Sequence, residues 1–222
     1  MTSGVAHSTF DANGLRVLTH ELATPLTALH AALALLADDR TDADALSSAI
    51  AAASHLSVVV SRTRSSLNGL PAVGPDGSIG SLFDEIVAML TPVTSPTGVR
   101  LEVRVTDEAR DLLVPTWVMR QVIVNLMSNS LKYAPGSNVV LSAVCIGGAV
   151  EVSVTDQGSG IPTEHQSAVF EPGFRLPEHL DLPGDGLGLA VNVQLLDSVG
   201  GTLRLETGST GTTVIATIPT DC

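Results

Sequence analysis

The sequence contains few basic residues and few aromatic ones. Its 222 residues include 11 Lys and Arg against 23 Asp and Glu, which gives a formal net charge of -12, and aromatic residues make up 3%. A surface of that sign repels nucleic-acid backbones and anionic lipid, and the sequence shows no local basic patch that would compensate. We therefore expect neither nucleic acid nor a membrane surface among the partners.

Long apolar runs and cysteines are equally scarce. No segment is long and apolar enough for a membrane span, and the amino terminus, MTSGVAHSTFDANG, lacks the basic start and apolar core of a signal peptide. The two cysteines, Cys145 and Cys222, do not have the spacing of a metal site. Together these absences predict a soluble, cytoplasmic protein whose two thiols stay reduced.

Glycine and proline concentrate in one stretch, GLPAVGPDGSIG, which runs from Gly69 to Gly80. These residues interrupt regular structure, so we interpret residues 70–79 as a linker. The chain is thereby divided into a first domain of residues 11–69, in which we predict two helices, and a second domain of residues 80–222, in which we predict both helices and strands.

Apolar residues of the first domain recur at alternating intervals of three and four, the spacing of a helical seam. The two series are Leu15, Leu18, Leu22, Pro25, Leu29, Ala32 and Leu36, then Leu46, Ala49, Ala53, Leu56, Val60, Thr63 and Leu67. They predict an antiparallel helical hairpin, and Leu26, Leu33 and Ile50 add more apolar surface than two helices can cover. A homodimer that forms a four-helix bundle would bury this surface, and packing of the hairpin on the second domain is the alternative.

The first helix also carries His20, Glu21 and Thr24 next to Pro25, within VLTHELATPL. If the flanking leucines face the seam, His20 and Thr24 lie one turn apart on the outward face. Pro25 cannot donate to the carbonyl of Glu21, so the helix should bend beside His20. An outward histidine is accessible for attack chemistry, although most surface histidines have no function.

A long helix of the second domain, opened by Pro115, carries three polar residues on one face. Asn125, Asn129 and Lys132 follow one another at spacings of four and three. Amide oxygens can bind magnesium, and a lysine attracts phosphate. Such a face is more often only solvated, so this pattern alone leaves both interpretations open.

Two glycine clusters follow later in the second domain. One comes after a predicted strand and the other directly before a predicted apolar helix; they comprise Asp156, Gly158 and Gly160, then Gly184, Gly186 and Gly188. Glycines let a backbone approach a ligand, and amides at a helix start can meet phosphate. Either cluster taken alone is also compatible with an ordinary turn, and the second is not a dinucleotide fingerprint, because no parallel strand-helix-strand unit surrounds it.

In their order, these motifs resemble those of sensor histidine kinases. HELATPL resembles the phosphoacceptor motif of the dimeric members of that family. The asparagine helix, Asp-x-Gly-x-Gly, FEPGFR, Gly-x-Gly-Leu-Gly-Leu and GTTVIATIP resemble the nucleotide-binding boxes of their catalytic domain, which belongs to an ATPase superfamily shared with gyrase-type and chaperone proteins. The resemblance covers residues 13 to 219 and implies an α+β chain: a dimeric four-helix bundle, then an α/β sandwich with a mixed sheet covered by helices.

The resemblance also implies roles for individual residues. His20 would accept the phosphoryl group, Glu21 would orient its ring or take its proton, and Thr24 would place a water for dephosphorylation of the partner. Asn129 resembles the magnesium ligand, with Asn125 as a second candidate. The residues expected to contact ATP are Asn125, Asn129, Lys132, Tyr133, Asp156, Gly158, Gly160, Phe170, Arg175, Gly184, Gly186, Gly188 and Thr212.

Within this set, Asp156 resembles the residue that reads adenine, assisted by Gly160, with Thr212 near the base through water. Phe170, Phe174 and Arg175 resemble the start of a flexible lid, and the second glycine cluster would let the lid fold over the triphosphate.

The implied function is a two-component histidine kinase. With ATP and Mg²⁺ it would autophosphorylate on His20 and pass the phosphoryl group to an aspartate of a response regulator, and Glu21-x-x-Thr24 resembles the pattern of kinases that also dephosphorylate this partner. Because the predicted hairpin begins near Met1, a separate sensor protein is an expected partner, unless the sequence is a piece of a longer one. Two alternatives stay open: a histidine phosphotransfer or phosphatase protein with a degenerate ATP domain, and a gyrase- or chaperone-type ATPase, which would need a catalytic glutamate where Asn125 stands.

Overall fold

The computed structural model describes residues 12–38, 76–182 and 186–222, together with scattered helical positions between 45 and 59. The helices are α1 (Ala12–Asp38), α2 (Ile79–Thr97), α3 (Asp107–Arg110), α4 (Thr116–Tyr133) and α5 (Gly188–Asp197). The strands are β1 (Asp76–Ser78), β2 (Arg100–Val105), β3 (Leu113–Pro115), β4 (Asn138–Ile146), β5 (Ala149–Asp156), β6 (Thr202–Gly208) and β7 (Gly211–Pro219). None of the helices in this part of the chain is long and apolar enough to cross a membrane.

The apolar stripe predicted for α1 is confirmed where its side chains are described. Pro25 and Ala32 are buried and Leu22 and Leu29 are half-buried, and these four positions follow the spacing of three, four and three. In contrast, Leu26 exposes 52% of its surface and Leu33, one heptad later, 53%. The helix therefore has a covered stripe and a neighbouring apolar strip that this single chain leaves uncovered.

The described positions between 45 and 59 are also helical, but their buried side differs from the predicted seam. Ala45, Ala49, Ala52 and Val59 are buried, whereas Ala53, predicted in the seam, is exposed. After Ala49, the buried side of a helix can continue at the third residue, Ala52, or at the fourth, Ala53. The packing within this chain buries Ala52. The four-helix bundle needs a second copy of the chain and stays a prediction.

The second domain begins earlier than the predicted linker suggests. Of residues 70–79, the first six lie outside the described residues, and Asp76–Ser78 form β1, which pairs antiparallel with β3. Ser78 then caps α2, its hydroxyl accepting a hydrogen bond from the amide of Ser81. These three residues consequently belong to the folded domain.

The centre of the second domain is a five-stranded sheet in the order β2-β4-β5-β7-β6. The β2–β4 pair is parallel and the other pairs are antiparallel, so the predicted mixed sheet is confirmed. Alternate residues of β4 and β5 point to one face and are buried there, as period-two patterning requires: Val139, Leu141, Ala143, Val150, Val152 and Val154. Apolar residues of α2, α4 and α5 cover this face and complete a single hydrophobic core.

This arrangement brings three elements together at one edge of the sheet. Asp156, the last residue of β5, pairs with Thr212 at the start of β7. Residues near the carboxyl end of α4 lie against the same edge, because Ser130 donates a hydrogen bond to Asp156. Polar residues far apart in sequence therefore meet there.

At the opposite end of β5, Cys145 and Cys222 form a disulfide with a Cα–Cα distance of 6.2 Å. Cys145 pairs with Val150 across the β4–β5 hairpin, and the tail after β7 is held there because the amide of Thr220 donates to the carbonyl of Gly148 at 3.0 Å. The prediction of two reduced thiols is therefore wrong. The disulfide could not be predicted from the sequence, because the two cysteines are 77 residues apart and meet only through the register of three strands.

We expect reduction of this disulfide to lower the free energy of unfolding, because the bond restricts the unfolded chain. The loss should be about 2 kcal/mol, the lower end of the usual range, since the freed tail also regains motion in the folded state. Denaturant unfolding of the oxidised protein with and without reductant measures this difference. In Cys145→Ser the reductant should have no effect, and equal midpoints for the wild-type protein under both conditions would contradict the prediction.

Candidate functional site

A cleft of about 130 Å³ lies at the edge of the sheet where β5 ends. Its walls come from the second half of α4, from β5 and β7, and from the connection between β5 and α5. It brings together nine of the residues singled out in the sequence: Asn129, Tyr133, Asp156, Gly158, Gly160, Phe174, Arg175, Gly186 and Thr212. The volume is about four times the share of one liquid water, so a ligand fragment larger than a solvent molecule fits.

The carboxylate of Asp156 is fixed by three hydrogen bonds. Its Oδ1 accepts from the backbone amides of Gly158 at 3.0 Å and Thr212 at 3.3 Å, and its Oδ2 accepts from the hydroxyl of Ser130 at 3.1 Å. An ionised carboxylate is only an acceptor, so this group offers the cleft a positioned partner for a ligand's N–H donor.

The loop after Asp156 can pass beside the β6–β7 turn only because residue 160 is glycine. Gly160 has a positive φ of 75°, and a Cβ at this position would overlap the carbonyl oxygen of Gly208. The same approach lets the amide of Ile161 donate to the hydroxyl of Thr207 at 2.9 Å. This glycine thus closes one wall of the cleft.

The polar face predicted on α4 is split by the structure. Asn129 is half-buried and lines the cleft, and its amide has no hydrogen-bond partner in the described part of the chain. Asn125 is buried outside the cleft lining, where its Nδ2 donates to the carbonyl of Gly188 at 2.6 Å and to Oδ1 of Asn192 at 3.0 Å. Lys132 also lies outside the lining, with its Nζ 4.8 Å from the centroid of the Tyr133 ring.

Gly188 belongs to the same contact between α4 and α5. A Cβ on Gly188 would lie 2.9 Å from Oδ1 of Asn125, so glycine lets the start of α5 approach α4 closely. The assignments of Gly188 to ATP binding and of Asn125 as a second magnesium ligand stay predictions.

Residues 171–187, called here the lid segment, connect the last short turn before Glu171 to α5. Arg175 organises this segment: its Nη2 donates to the carbonyls of His179 at 2.6 Å and Leu180 at 2.9 Å, and to the carbonyl of Leu182. The ring of His179 lies against that of Tyr133 with centroids 4.8 Å apart, which joins the lid segment to α4. The guanidinium expected to face phosphate therefore holds the backbone of the lid segment.

The aromatic residues at the start of the lid have different positions. Phe174 lines the cleft, with its ring centroid 5.6 Å from that of His165. Phe170 ends a short helical turn, Ala168–Phe170, and does not line the cleft. Gly184 lies outside the described residues.

The sequence analysis did not identify Ser130 and His179, which line the cleft, or Thr207, which bonds the loop that forms one wall. Ser130 could have been found, because it follows Leu126 by four residues and precedes Tyr133 by three, on the helix face that lines the cleft. Thr207 opposes Thr212 across the β6–β7 pair, so it could be located only from the strand register.

The predicted catalytic residues His20, Glu21 and Thr24 lie within the helical span of α1. Their side chains lie outside the described residues, so their roles stay predictions. No group of three or more His, Cys, Asp or Glu residues that could hold a metal occurs in the described ranges. The expected magnesium ligand is an amide, which such a group would not include.

Residues 116–221 match the family model for histidine kinase-, DNA gyrase B-, and HSP90-like ATPases. This part of the chain belongs to that ATPase family. The ATPase domain thus contains the cleft, Asp156 and the α4–α5 contact.

Curated relatives extend the similarity beyond the ATPase domain. The chain is 31% identical to sensor histidine kinase Hik2 of Thermosynechococcus vestitus, over 91% of this chain and 57% of that protein. It is also 31% identical to the signal transduction histidine-protein kinase/phosphatase MprB of Mycolicibacterium vanbaalenii, over 84% of this chain and 41% of that protein. The chain therefore spans about half the length of these relatives.

Solved structures show the same fold. A mycobacterial sensor histidine kinase MprB, 27% identical, aligns with 67% of this chain and 97% of its own, with a TM-score of 0.55. Full-length ShkA in complex with AMPPNP, 24% identical, aligns with 93% of this chain and 45% of its own, with a TM-score of 0.63. Histidine kinase ThkA in complex with response regulator protein TrrA, 19% identical, aligns with 94% of this chain and 61% of its own, with a TM-score of 0.58.

Proposed function

We propose that this protein is an ATP-dependent protein-histidine kinase of a two-component system, which autophosphorylates on His20 and passes the phosphoryl group to an aspartate of a response regulator. The observation that carries the proposal is the carboxylate of Asp156, held by three donors in the cleft of the ATPase domain. A fixed acceptor of this kind suits the exocyclic amine of adenine.

Sequence similarity outside the ATPase domain supports the kinase in preference to other members of that ATPase family. The match to Hik2 covers 91% of the chain, whereas the ATPase domain accounts for residues 116–221. The similarity therefore extends over most of the first domain as well. Asn125 supports the same choice, because an amide buried against α5 cannot act as the base that would activate water for ATP hydrolysis.

The residues of the cleft fit an ATP–magnesium complex, and ShkA has been solved with an ATP analogue. Magnesium keeps most of its waters and takes few protein ligands besides phosphate oxygens. The amide oxygen of Asn129 suits that role, since Asn129 lines the cleft and no described residue occupies its amide. When bound, the ion would offset negative charge on the phosphates, which matters in a chain with a net charge of -12.

The proposed transfer uses a neutral imidazole. The unprotonated ring nitrogen of His20 attacks the γ-phosphorus, a nitrogen–phosphorus bond forms, the bond to the bridging oxygen breaks, and ADP leaves. Glu21 orients the ring or accepts the proton from its other nitrogen. The aspartate of the response regulator then attacks the same phosphorus and the imidazole is released. ThkA, which shares the fold, has been solved with such a regulator.

Two further parts of the proposal concern assembly and location. The uncovered apolar strip of α1 at Leu26 and Leu33 supports a homodimer, in which a second copy would complete a four-helix bundle. Because the proposed reaction consumes ATP, we further infer a cytoplasmic location.

The test is incubation of the purified chain with γ-³²P-labelled ATP and magnesium. We expect acid-labile, base-stable label on the wild-type protein and complete loss of it in His20→Gln. His30→Gln is the matched control, since His30 is an exposed residue of the same helix, and it should retain the label. Absence of wild-type label would favour the phosphotransfer alternative, and free phosphate without protein label would favour the ATPase.

Dephosphorylation of the response regulator is a second candidate activity, favoured because the relative MprB is named a kinase/phosphatase. In this activity the hydroxyl of Thr24 would place the attacking water. We expect Thr24→Ala to release phosphate from a phosphorylated regulator at least about tenfold more slowly, because the transition state loses one hydrogen bond. The variant should keep the histidine label. An unchanged rate of phosphate release would exclude this role for Thr24.

A further inference from the structure

Ser130 is a buried hydroxyl of the cleft that the proposed phosphoryl transfer does not use. It exposes 3% of its surface, lines the cleft, and donates from Oγ to Oδ2 of Asp156 at 3.1 Å. In the described part of the chain it is the side chain that contacts the second oxygen of this carboxylate.

The hydrogen bonds of Asp156 define where a ligand can bind. Oδ1 accepts from two backbone amides, those of Gly158 and Thr212, which use its two lone pairs. Oδ2 accepts one hydrogen bond from Ser130 and keeps one lone pair. A donor on the ligand must therefore bind Oδ2, directly beside the oxygen of Ser130.

The same hydrogen bond determines the character of Ser130. Its only proton is committed to Asp156, so its oxygen presents lone pairs alone to the rest of the cleft. Asp156 and Ser130 together form a surface that accepts hydrogen bonds and donates none. A purine with an amine at position 6 supplies the required donor. A carbonyl at that position is itself an acceptor, and it would face the oxygens of Asp156 and Ser130 with no proton to share.

We propose that Ser130 is a base-specificity residue, which makes the cleft select a 6-aminopurine nucleotide over a 6-oxopurine nucleotide. This inference rests on the proposed function only in taking the ligand to be a purine nucleoside triphosphate. A serine that merely packed in the helix would not affect the choice of base.

Loss of the Ser130 hydroxyl affects the binding of both the 6-aminopurine and the 6-oxopurine nucleotide. In Ser130→Ala, Oδ2 regains a lone pair and space for a water, whose two protons can bridge the carboxylate to a carbonyl at position 6. Binding of the amino base loses a preorganised partner while binding of the oxo base gains a bridge. We expect the ratio of the two dissociation constants to fall about tenfold, which corresponds to one hydrogen bond of about 1.4 kcal/mol.

The experiment measures dissociation constants of the full chain for ATP and for inosine triphosphate, which differ at position 6 and in the proton on the adjoining ring nitrogen. Calorimetry with the wild-type protein, Ser130→Ala and Ser130→Thr supplies the values. We expect the alanine variant to lose about tenfold in preference for ATP and the threonine variant, which keeps a hydroxyl, to retain it. Ser153→Ala is the control, because Ser153 is a hydrogen-bonded serine on the other face of the sheet, 2.7 Å from the Ser142 hydroxyl.

The outcomes separate this inference from the proposed function. If the wild-type protein binds ATP and Ser130→Ala keeps the wild-type preference, the inference is wrong and the proposed function stands. If the wild-type protein binds neither nucleotide, both are wrong. A fall in preference in Ser130→Ala that Ser130→Thr does not show supports the inference, and thermal unfolding of each variant confirms that it is folded.

Discussion

Replacement of Asp156 by asparagine is expected to weaken ATP binding by about 100-fold and to leave the fold intact. The amide is nearly isosteric, so its oxygen can keep the two backbone hydrogen bonds that Oδ1 accepts. Its nitrogen then replaces Oδ2 and turns two protons toward the Ser130 hydroxyl and toward the amine of the base. Loss of a hydrogen bond to a charged group, together with this opposition of donors, corresponds to about 3 kcal/mol.

Fluorescent-nucleotide displacement by ATP measures this change. Asp197→Asn is the matched control, since Asp197 is exposed at the end of α5 and should bind ATP as the wild-type protein does. A dissociation constant for Asp156→Asn within threefold of the wild-type value would contradict the role of Asp156 as the acceptor for adenine, on which the proposed function depends.

Substitution of Gly160 by alanine is expected to lower the free energy of unfolding by about 4 kcal/mol. Part of this loss, about 1 to 2 kcal/mol, is the strain of a side chain at a φ of 75°. The rest arises because the new Cβ overlaps the carbonyl oxygen of Gly208 and lies 2.8 Å from its carbonyl carbon. Both belong to backbone, which cannot rotate away as a side-chain end can, so the β6–β7 turn must shift at a typical cost of 1 to about 3 kcal/mol.

Thermal unfolding should show a midpoint about 10 °C lower for Gly160→Ala. Gly136→Ala separates the two causes: Gly136 has nearly the same φ, 72°, and no atom within 4 Å of the position of a Cβ. This control should lose only about 1 kcal/mol. Equal losses in both variants would show that the contact with Gly208 contributes nothing.

The sequence predicted those features that depend on local pattern. The spacing in α1 indicated which of its described side chains are buried, and Asp156 was placed where a strand ends in a glycine-containing loop. Asn129 was placed on a polar helix face by its spacing, and Tyr133 was assigned to ATP binding only through the family resemblance. Both residues line the cleft.

Features that depend on packing between distant elements could not be predicted. Asn125 and Asn129 share one helix face, but α5 covers the earlier turn of α4 and leaves the later turn for the cleft. Arg175 was assigned to phosphate from its place in a motif, whereas its Nη2 donates to backbone carbonyls of the lid segment. The Cys145–Cys222 contact likewise requires the strand order of the whole sheet.

The buried amide contact between α4 and α5 has a mechanical consequence. Asn125 bonds both the first residue of α5 and Asn192 one turn later, and Asn192 bonds back to the carbonyl of Val122. All three of these hydrogen bonds would have to break for the two helices to slide past each other. We therefore expect α4 and α5 to keep their relative positions when a nucleotide binds or leaves the cleft.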